Sequence, residues 1–321
     1  MTKTVLIVGA NGRFGRAAAQ AFADKNWSIK LYARSKPIVH FAAHKWVNAD
    51  ALDQTVLNYA AEGCDVIVNA LTPPYSEWTE IIPRLTASII NASHHSGATI
   101  MVPGNIYNYG PSMPVLLKED TPQLATGSLG LARIKMENEY EDAVKDGIQT
   151  IILRGGDFIE RAVTGNWFDS QITPKIAKGK IIYPGPLDSM HCWAYLPDMA
   201  RALVGLAEKR STLAAFETIG FPGFSMSGTE FVKTLERVSG RSLKIGKFPW
   251  NIAKILSLIN PDIQGVLQMS YQWCTPHMID GGKFDELVPG FVSTAVDDAF
   301  RDAVADRIGK GPAVSLSERR I

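Results

Sequence analysis

Cysteine is scarce. The chain carries three in 321 residues (Cys64, Cys192 and Cys274), far apart and odd in number. That excludes a disulfide framework and a paired-cysteine zinc site, and it fits a reducing cytoplasm. Neither sign of charge is in excess: Lys and Arg total 33, Asp and Glu 32, and the net charge is +1. A nucleic-acid binder would carry a basic surplus or a basic run, so nucleic acid is not an expected partner. No stretch approaches ~18 consecutive apolar residues, so no membrane partner is expected. The first apolar run, Val5 to Val8, starts too early and is too short for a secretory segment. What is present is a 46% hydrophobic, 20% charged composition, ordinary for a packed protein. At about 100–200 residues per domain the length points to two lobes. The expectation is a cytoplasmic globular chain, monomer or homodimer, acting on a small molecule.

The first half alternates short β-rich runs with longer helical patterns. Strands are expected at Thr4–Val8, Ser28–Ala33, Lys45–Asn48, Val66–Ala70, Ala98–Val102 and Thr150–Leu153, with helices at Arg13–Lys25, Asp53–Glu62, Glu77–Ser96 and Gly127–Asp146. Several strands are almost entirely apolar, as parallel strands covered on both faces must be. This predicts an α/β fold, a doubly wound parallel sheet over residues 1–154 completed by about 192–220. Gly and Pro punctuate the remainder. Residues 155–191 and 221–321 are expected to form a smaller C-terminal substrate lobe over the sheet edge, with helices at Pro197–Lys209, Ser227–Ser239, Ile252–Ile259 and Ile263–Trp273.

The sharpest local signal is Gly9-Ala10-Asn11-Gly12-Arg13-Phe14-Gly15, directly after a strand and opening a helix. Glycines in that position allow a tight turn, let backbone N–H groups approach a pyrophosphate, and seat the helix against the strand. The pattern predicts a Rossmann sheet holding a dinucleotide. An acid at the end of the second strand would bind a ribose 2′-hydroxyl, but this chain has Arg34 and Lys36 there. Arg34 suits a 2′-phosphate, with Arg13 as a second cation, so NADP(H) is preferred over NAD(H). Asp50 and Ala51 are placed to meet the adenine, and Asn69, Ala70, Leu71 and Thr72 to flank the ribose and nicotinamide.

With Asn69-Ala70, Asn105 through Pro111, Arg154 through Phe158 and Trp193 through Ala200 added to the glycines, the chain resembles the extended, epimerase/dehydratase-like branch of the short-chain dehydrogenases/reductases. In that superfamily a Tyr four residues before a Lys, on one helix, transfers the proton while the Lys lowers its pKa and holds the nicotinamide ribose. Here Lys135 matches the Lys, but position 131 is Leu, and Pro103-Gly104-Asn105 replaces the family's Ser or Thr. The resemblance leaves three routes open: Lys135 as the acid–base group, as in isoflavone-reductase-like enzymes; a phenol from Tyr107 or Tyr109; or an NmrA-like sensor without turnover.

His40 and His44 stand at the spacing of a zinc pair, but with no third ligand no metal is expected. Trp78, Asn105, Tyr107, Trp167, His191 and Trp193 are expected to line an aromatic, weakly charged substrate pocket. Such a pocket suits a small carbonyl or aromatic compound better than a nucleotide-sugar, for which Arg161 and Lys175 are the nearby cations. Asp198 is expected to cap the helix that follows it. The resulting expectation is an NADPH-dependent reductase, with an NADP(H) sensor or a nucleotide-sugar epimerase/dehydratase as alternatives.

Overall fold

The computed structural model describes residues 2–37, 41 and 44–308. In chain order its main layer contains β1 (Thr4–Val8), α1 (Arg13–Asp24), β2 (Ser28–Tyr32), β3 (His44–Val47), α2 (Gln54–Ala61), β4 (Val66–Asn69), α3 (Trp78–Ser96) and β5 (Thr99–Gly104). After a short β6 (Leu116–Leu117) it continues with α4 (Ser128–Asp142) and β7 (Thr150–Arg154). The chain then leaves the layer, and returns to it through α5 (Leu196–Lys209) and β11 (Phe216–Gly220). These strands form a seven-stranded sheet in the order β11-β7-β5-β4-β1-β2-β3, and every pairing is parallel. The strand order reverses between β1 and β4, and ligands bind such sheets at that crevice beyond the carboxyl ends.

The apolar strands are explained by what covers them. Alternate residues point to opposite faces, so Val5 and Ile7 pack with α1 and α5 through Phe22, Met199 and Leu203. Leu6 and Val8 pack with α2, α3 and α4 through Leu57, Ile89 and Met136. All four of these strand residues are fully buried, and each such side chain contributes roughly 1.5–3 kcal/mol.

The second lobe contains β8 (Asp157–Ile159), β9 (Lys180–Tyr183), β10 (Met190–Tyr195), β12 (Phe224–Ser227), α6 (Gly228–Ser239), β13 (Lys244–Lys247), α7 (Trp250–Leu256), α8 (Pro261–Gln268), β14 (Met278–Ile279), α9 (Gly282–Leu287) and α10 (Val296–Ile308). Its core joins Trp193, Phe231, Phe300 and Trp273. Three details depart from the sequence reading. Met190–Tyr195 pairs with β8 and β12, not with the main sheet, so α5 and β11 alone complete that sheet. The run expected as a helix to Ile259 ends at Leu256, because Pro261 holds Asn260 extended. The helix expected to run to Trp273 stops at Gln268 and tightens into a 3₁₀ turn that delivers Trp273 to the lobe core.

Candidate functional site

The glycine loop has the geometry its sequence implies. Gly9 has φ +86°, a conformation that only glycine adopts freely, and a Cβ there would lie 2.9 Å from the Ala70 carbonyl. A Cβ at Gly15 would stand 2.3 Å from the Gly9 oxygen, so the third glycine is what lets α1 sit on the loop. Gly12 is the N-cap of α1, with no side chain capping the helix and no acid in its first turn. The first-turn N–H groups are thus free to meet an anion. Asn11 ties the loop to the end of β2 by donating to Ser35 O at 2.9 Å and Oγ at 2.8 Å. Phe14 faces the core. A cradle closed to any Cβ, at an uncapped helix N-terminus, fits a dinucleotide pyrophosphate.

The neighbouring residues divide. Arg34 is 83% exposed at its side chain, 4.0 Å from the Asp50 carboxylate. Asp50 also accepts from Leu52 N at 2.9 Å, which is ordinary turn chemistry. Ala51 is buried, and Ala70 abuts Gly9. Leu71 is half-buried and Thr72 exposed. Two residues do not sit as expected. Arg13 donates from Nε to Thr164 O at 3.2 Å and so links the loop to the second lobe. Asn69 is buried and donates to the Tyr140 hydroxyl at 2.8 Å, joining β4 to α4.

Helix α4 departs most from expectation. Lys135 is 63% exposed, with Glu139 at 3.9 Å one turn on, and Leu131 is exposed as well. The inward face instead carries Leu129, Ala132, Arg133, Met136, Glu137 and Tyr140. Lys135 is therefore corrected to a surface position. The inward pair at the superfamily's four-residue spacing is Leu129 and Arg133, so neither Tyr nor Lys is kept. Gly130 explains the orientation: a Cβ there would stand 2.6 Å from Tyr107 O, which presses this side of the helix onto the loop after β5.

Arg133 is buried, with its guanidinium 4.6 Å from the centre of the Trp78 ring and its Nε without a partner. Burial lowers its pKa, against the pull of Glu137, Tyr107 and Tyr75. Tyr107 stacks on Trp78 at 6.0 Å, and its hydroxyl lies 2.8 Å from that of Tyr75. Burial raises both phenols above their ordinary value, and the Asp157 carboxylate pushes in the same direction. Asn105 fixes this loop: its side-chain oxygen accepts from Tyr107 N at 3.1 Å and its carbonyl accepts from Arg154 at 2.5 Å. Arg154 also pairs with Glu137 at 2.7 Å, both being buried. Beside Tyr107 a cavity of about 130 Å³ opens between Gly127, Gly130, Gln268, Met269 and Tyr271.

The remaining aromatic residues do not form the expected pocket. Trp193 stacks on Phe231 at 4.6 Å in the lobe core, and Trp167 packs among Phe248, Trp250 and Trp273. Trp193 belongs to the core of the second lobe, and Trp167 packs against it. His191 is buried too, 2.8 Å from Asp157 and stacked on Trp273 at 4.4 Å. Asp198 does not cap α5: it is buried and accepts from Thr294 N at 2.6 Å. His40 lies outside the described residues, and among those residues no three His, Cys, Asp or Glu side chains gather as a metal site. The sequence reading passed over Tyr75, Arg133 and Asp157. The spacing of Leu129, Ala132, Met136 and Tyr140 was the available signal, since it turns Arg133 inward and Lys135 outward.

No curated protein sequence matches the chain. Among solved structures, the UDP-glucose 4-epimerase of Brucella ovis with NAD superposes with TM-score 0.74 at 17% identity, over 96% of this chain and 99% of that one. The UDP-glucose 4-epimerase of Bifidobacterium longum with NAD+ and UDP does so with TM-score 0.74 at 14% identity, over 94% and 97%. MoeE5 with UDP-glucose and NAD gives 0.75 at 14%, again over 94% and 97%. At such identities these likenesses speak for the fold. The sequence goes further, because residues 5–219 match the NAD dependent epimerase/dehydratase family from the first strand to the last strand of the main sheet. With the glycine cradle built as that match requires, the chain belongs to the NAD-dependent epimerase/dehydratase family.

Proposed function

We propose that this protein is an NADPH-dependent reductase of a small carbonyl compound, with Tyr107 as its proton donor. The bound dinucleotide supplies the hydride. Gly9, Gly12 and Gly15 hold its pyrophosphate, and Arg34 selects the 2′-phosphate. The observation that carries the reading is the Tyr75–Tyr107 hydroxyl pair, 2.8 Å apart and raised in pKa by burial. Phenols in that condition are protonated at neutral pH. That is the state a proton donor to a developing alkoxide must be in, and it is the state reduction calls on first. Tyr107 protonates the developing alkoxide, Tyr75 backs it by hydrogen bonding, and the buried Arg133 guanidinium offsets the phenolate charge left behind.

A nucleotide-sugar epimerase is the second reading, favoured by the UDP-glucose 4-epimerases among the structural relatives. Epimerisation requires abstraction as well as delivery of a proton, so a phenol would first have to be deprotonated, which burial opposes at Tyr75 and Tyr107. Arg161, one of the cations available for a second diphosphate, is already paired with Asp306 at 2.6 Å. The test follows NADPH oxidation with a panel of aldehydes, ketones and quinones, beside UDP-glucose/UDP-galactose interconversion. Tyr107→Phe should lower kcat on a reduced carbonyl by roughly 10²–10⁴ with little change in NADPH affinity. Interconversion of the UDP-sugars by a wild type that reduces no carbonyl would establish the second reading. NADPH binding with no turnover of either kind would make the protein a sensor.

A further inference from the structure

The segment from Arg237 to Pro261 differs in charge from the rest of the chain. It holds Arg237, Arg241, Lys244, Lys247 and Lys254 and no acidic residue, in a chain whose net charge is +1. Among the described residues the lysines in ion pairs are Lys3, Lys135, Lys145 and Lys283, so Lys244, Lys247 and Lys254 are uncompensated. Parallel pairing of β13 with β9 sets Lys244 beside Lys180. Both line a cavity of about 280 Å³ with Lys175, Ile181, Ile182 and Ile245. The same segment is apolar where it should be polar. Helix α7 buries only Ala253. Ile252, Ile255, Leu258 and Ile259 are exposed, the last two by 83% and 82%. Phe248 and Trp250 stand at its base, their rings 4.6 Å apart.

We propose that β13, α7 and the turn to α8 form a docking surface for an anionic lipid bilayer, with Leu258 and Ile259 entering the headgroup–acyl boundary and the lysines meeting the headgroups. Exposed aliphatic tips with flanking basic and aromatic side chains are what an interfacial element requires. A second copy of this chain suits the surface poorly, because the lysine clusters of two copies would face each other. No helix of the described residues is long and apolar enough to cross a membrane, which concerns spanning and not lying on the surface.

The test is co-sedimentation of the full chain with vesicles of phosphatidylcholine alone or mixed with phosphatidylglycerol. Binding is expected to the mixed vesicles only, and to weaken as salt rises. Lys180→Gln/Lys244→Gln/Lys247→Gln should weaken it roughly a hundredfold, at about one kcal/mol per basic residue. Leu258→Asp/Ile259→Asp should abolish it. These positions are on the surface, so an unchanged thermal midpoint shows that each variant is folded. Wild type that stays in solution with the mixed vesicles, or binds phosphatidylcholine equally well, would overturn the proposal. So would vesicle binding that survives Leu258→Asp/Ile259→Asp, or a wild-type dimer, silent on vesicles, that this variant dissociates.

Discussion

Arg133 and Lys135 stand two positions apart on one helix, hence roughly 200° apart around it, and their fates differ accordingly. Lys135 is solvated and pairs loosely with Glu139, an interaction of at most a few tenths of a kcal/mol by analogy with exposed helix pairs. Arg133 lies over Trp78 with an unpartnered Nε. Lys135→Met should leave carbonyl reduction and NADPH binding within about twofold of wild type. Arg133→Met should reduce kcat at least tenfold, since it removes the charge that offsets a Tyr107 phenolate. Equal steady-state rates for the two variants would return Lys135 to consideration. Cofactor choice is also decided at single residues. Arg34→Asp should weaken NADPH by roughly tenfold to a hundredfold, as loss of charge-assisted bonds implies, and leave NADH nearly untouched. Fluorescence titration with each nucleotide reads that ratio directly.

Among elements, the β1–loop–α1 unit has the least freedom. A methyl group at Gly15 meets the Gly9 oxygen at 2.3 Å, so Gly15→Ala must move α1 away from the loop. The expected outcome is nucleotide affinity lowered tenfold or more, with stability reduced by about 1–3 kcal/mol, as overpacking costs. Calorimetric titration and denaturant midpoints measure the two. The backbone of this unit was legible in the sequence, because glycine spacing reports backbone geometry directly, whereas the reach of Arg13 to Thr164 O was not. The buried strands were legible for a similar reason: Val5-Leu6-Ile7-Val8 has no polar side to leave in water. Helix α4 was misread because Leu131 and Lys135 satisfy a four-residue spacing as well as Leu129 and Arg133 do. The apolar spacing of Leu129, Ala132, Met136 and Tyr140 separates the two faces, and the packing of Gly130 on Tyr107 fixes the choice. The pairing of Met190–Tyr195 with β8 and β12 was not legible, because an apolar strand carries no mark of which sheet it joins.

At the scale of the whole molecule, acid sensitivity should concentrate where the lobe meets the cleft. His277 is buried, its Nδ1 donates to Thr275 O at 2.8 Å, and its Nε2 has no partner. Burial, with His191 at its side, pulls its pKa down to about 3. The folded chain therefore refuses a proton that the unfolded chain accepts near pH 6.5. Stability from this group is complete above about pH 6.5 and is lost progressively toward pH 3, at no more than about 1.4 kcal/mol per pH unit. Urea midpoints across this range should fall less steeply in His277→Asn than in wild type. Equal slopes would mean that other groups govern acid unfolding.

The late return of the chain to its main sheet has a consequence during synthesis. β7 ends at Arg154 and its outer neighbour β11 begins at Phe216, so about sixty residues, part of the second lobe and then α5, emerge between two strands that must pair. At ribosomal rates of about 5–20 residues per second, the outer edge of β7 waits roughly three to twelve seconds with its backbone N–H and C=O groups unpaired. That edge is almost wholly apolar (Thr150-Ile151-Ile152-Leu153), and an unpaired edge of this kind templates strand addition from another chain. A nascent chain stalled or cut between residues 155 and 215 would carry a nearly finished sheet with the β7 edge open in addition to that of β3. It is such truncated chains, more than the intact protein, that should need a chaperone to stay in solution.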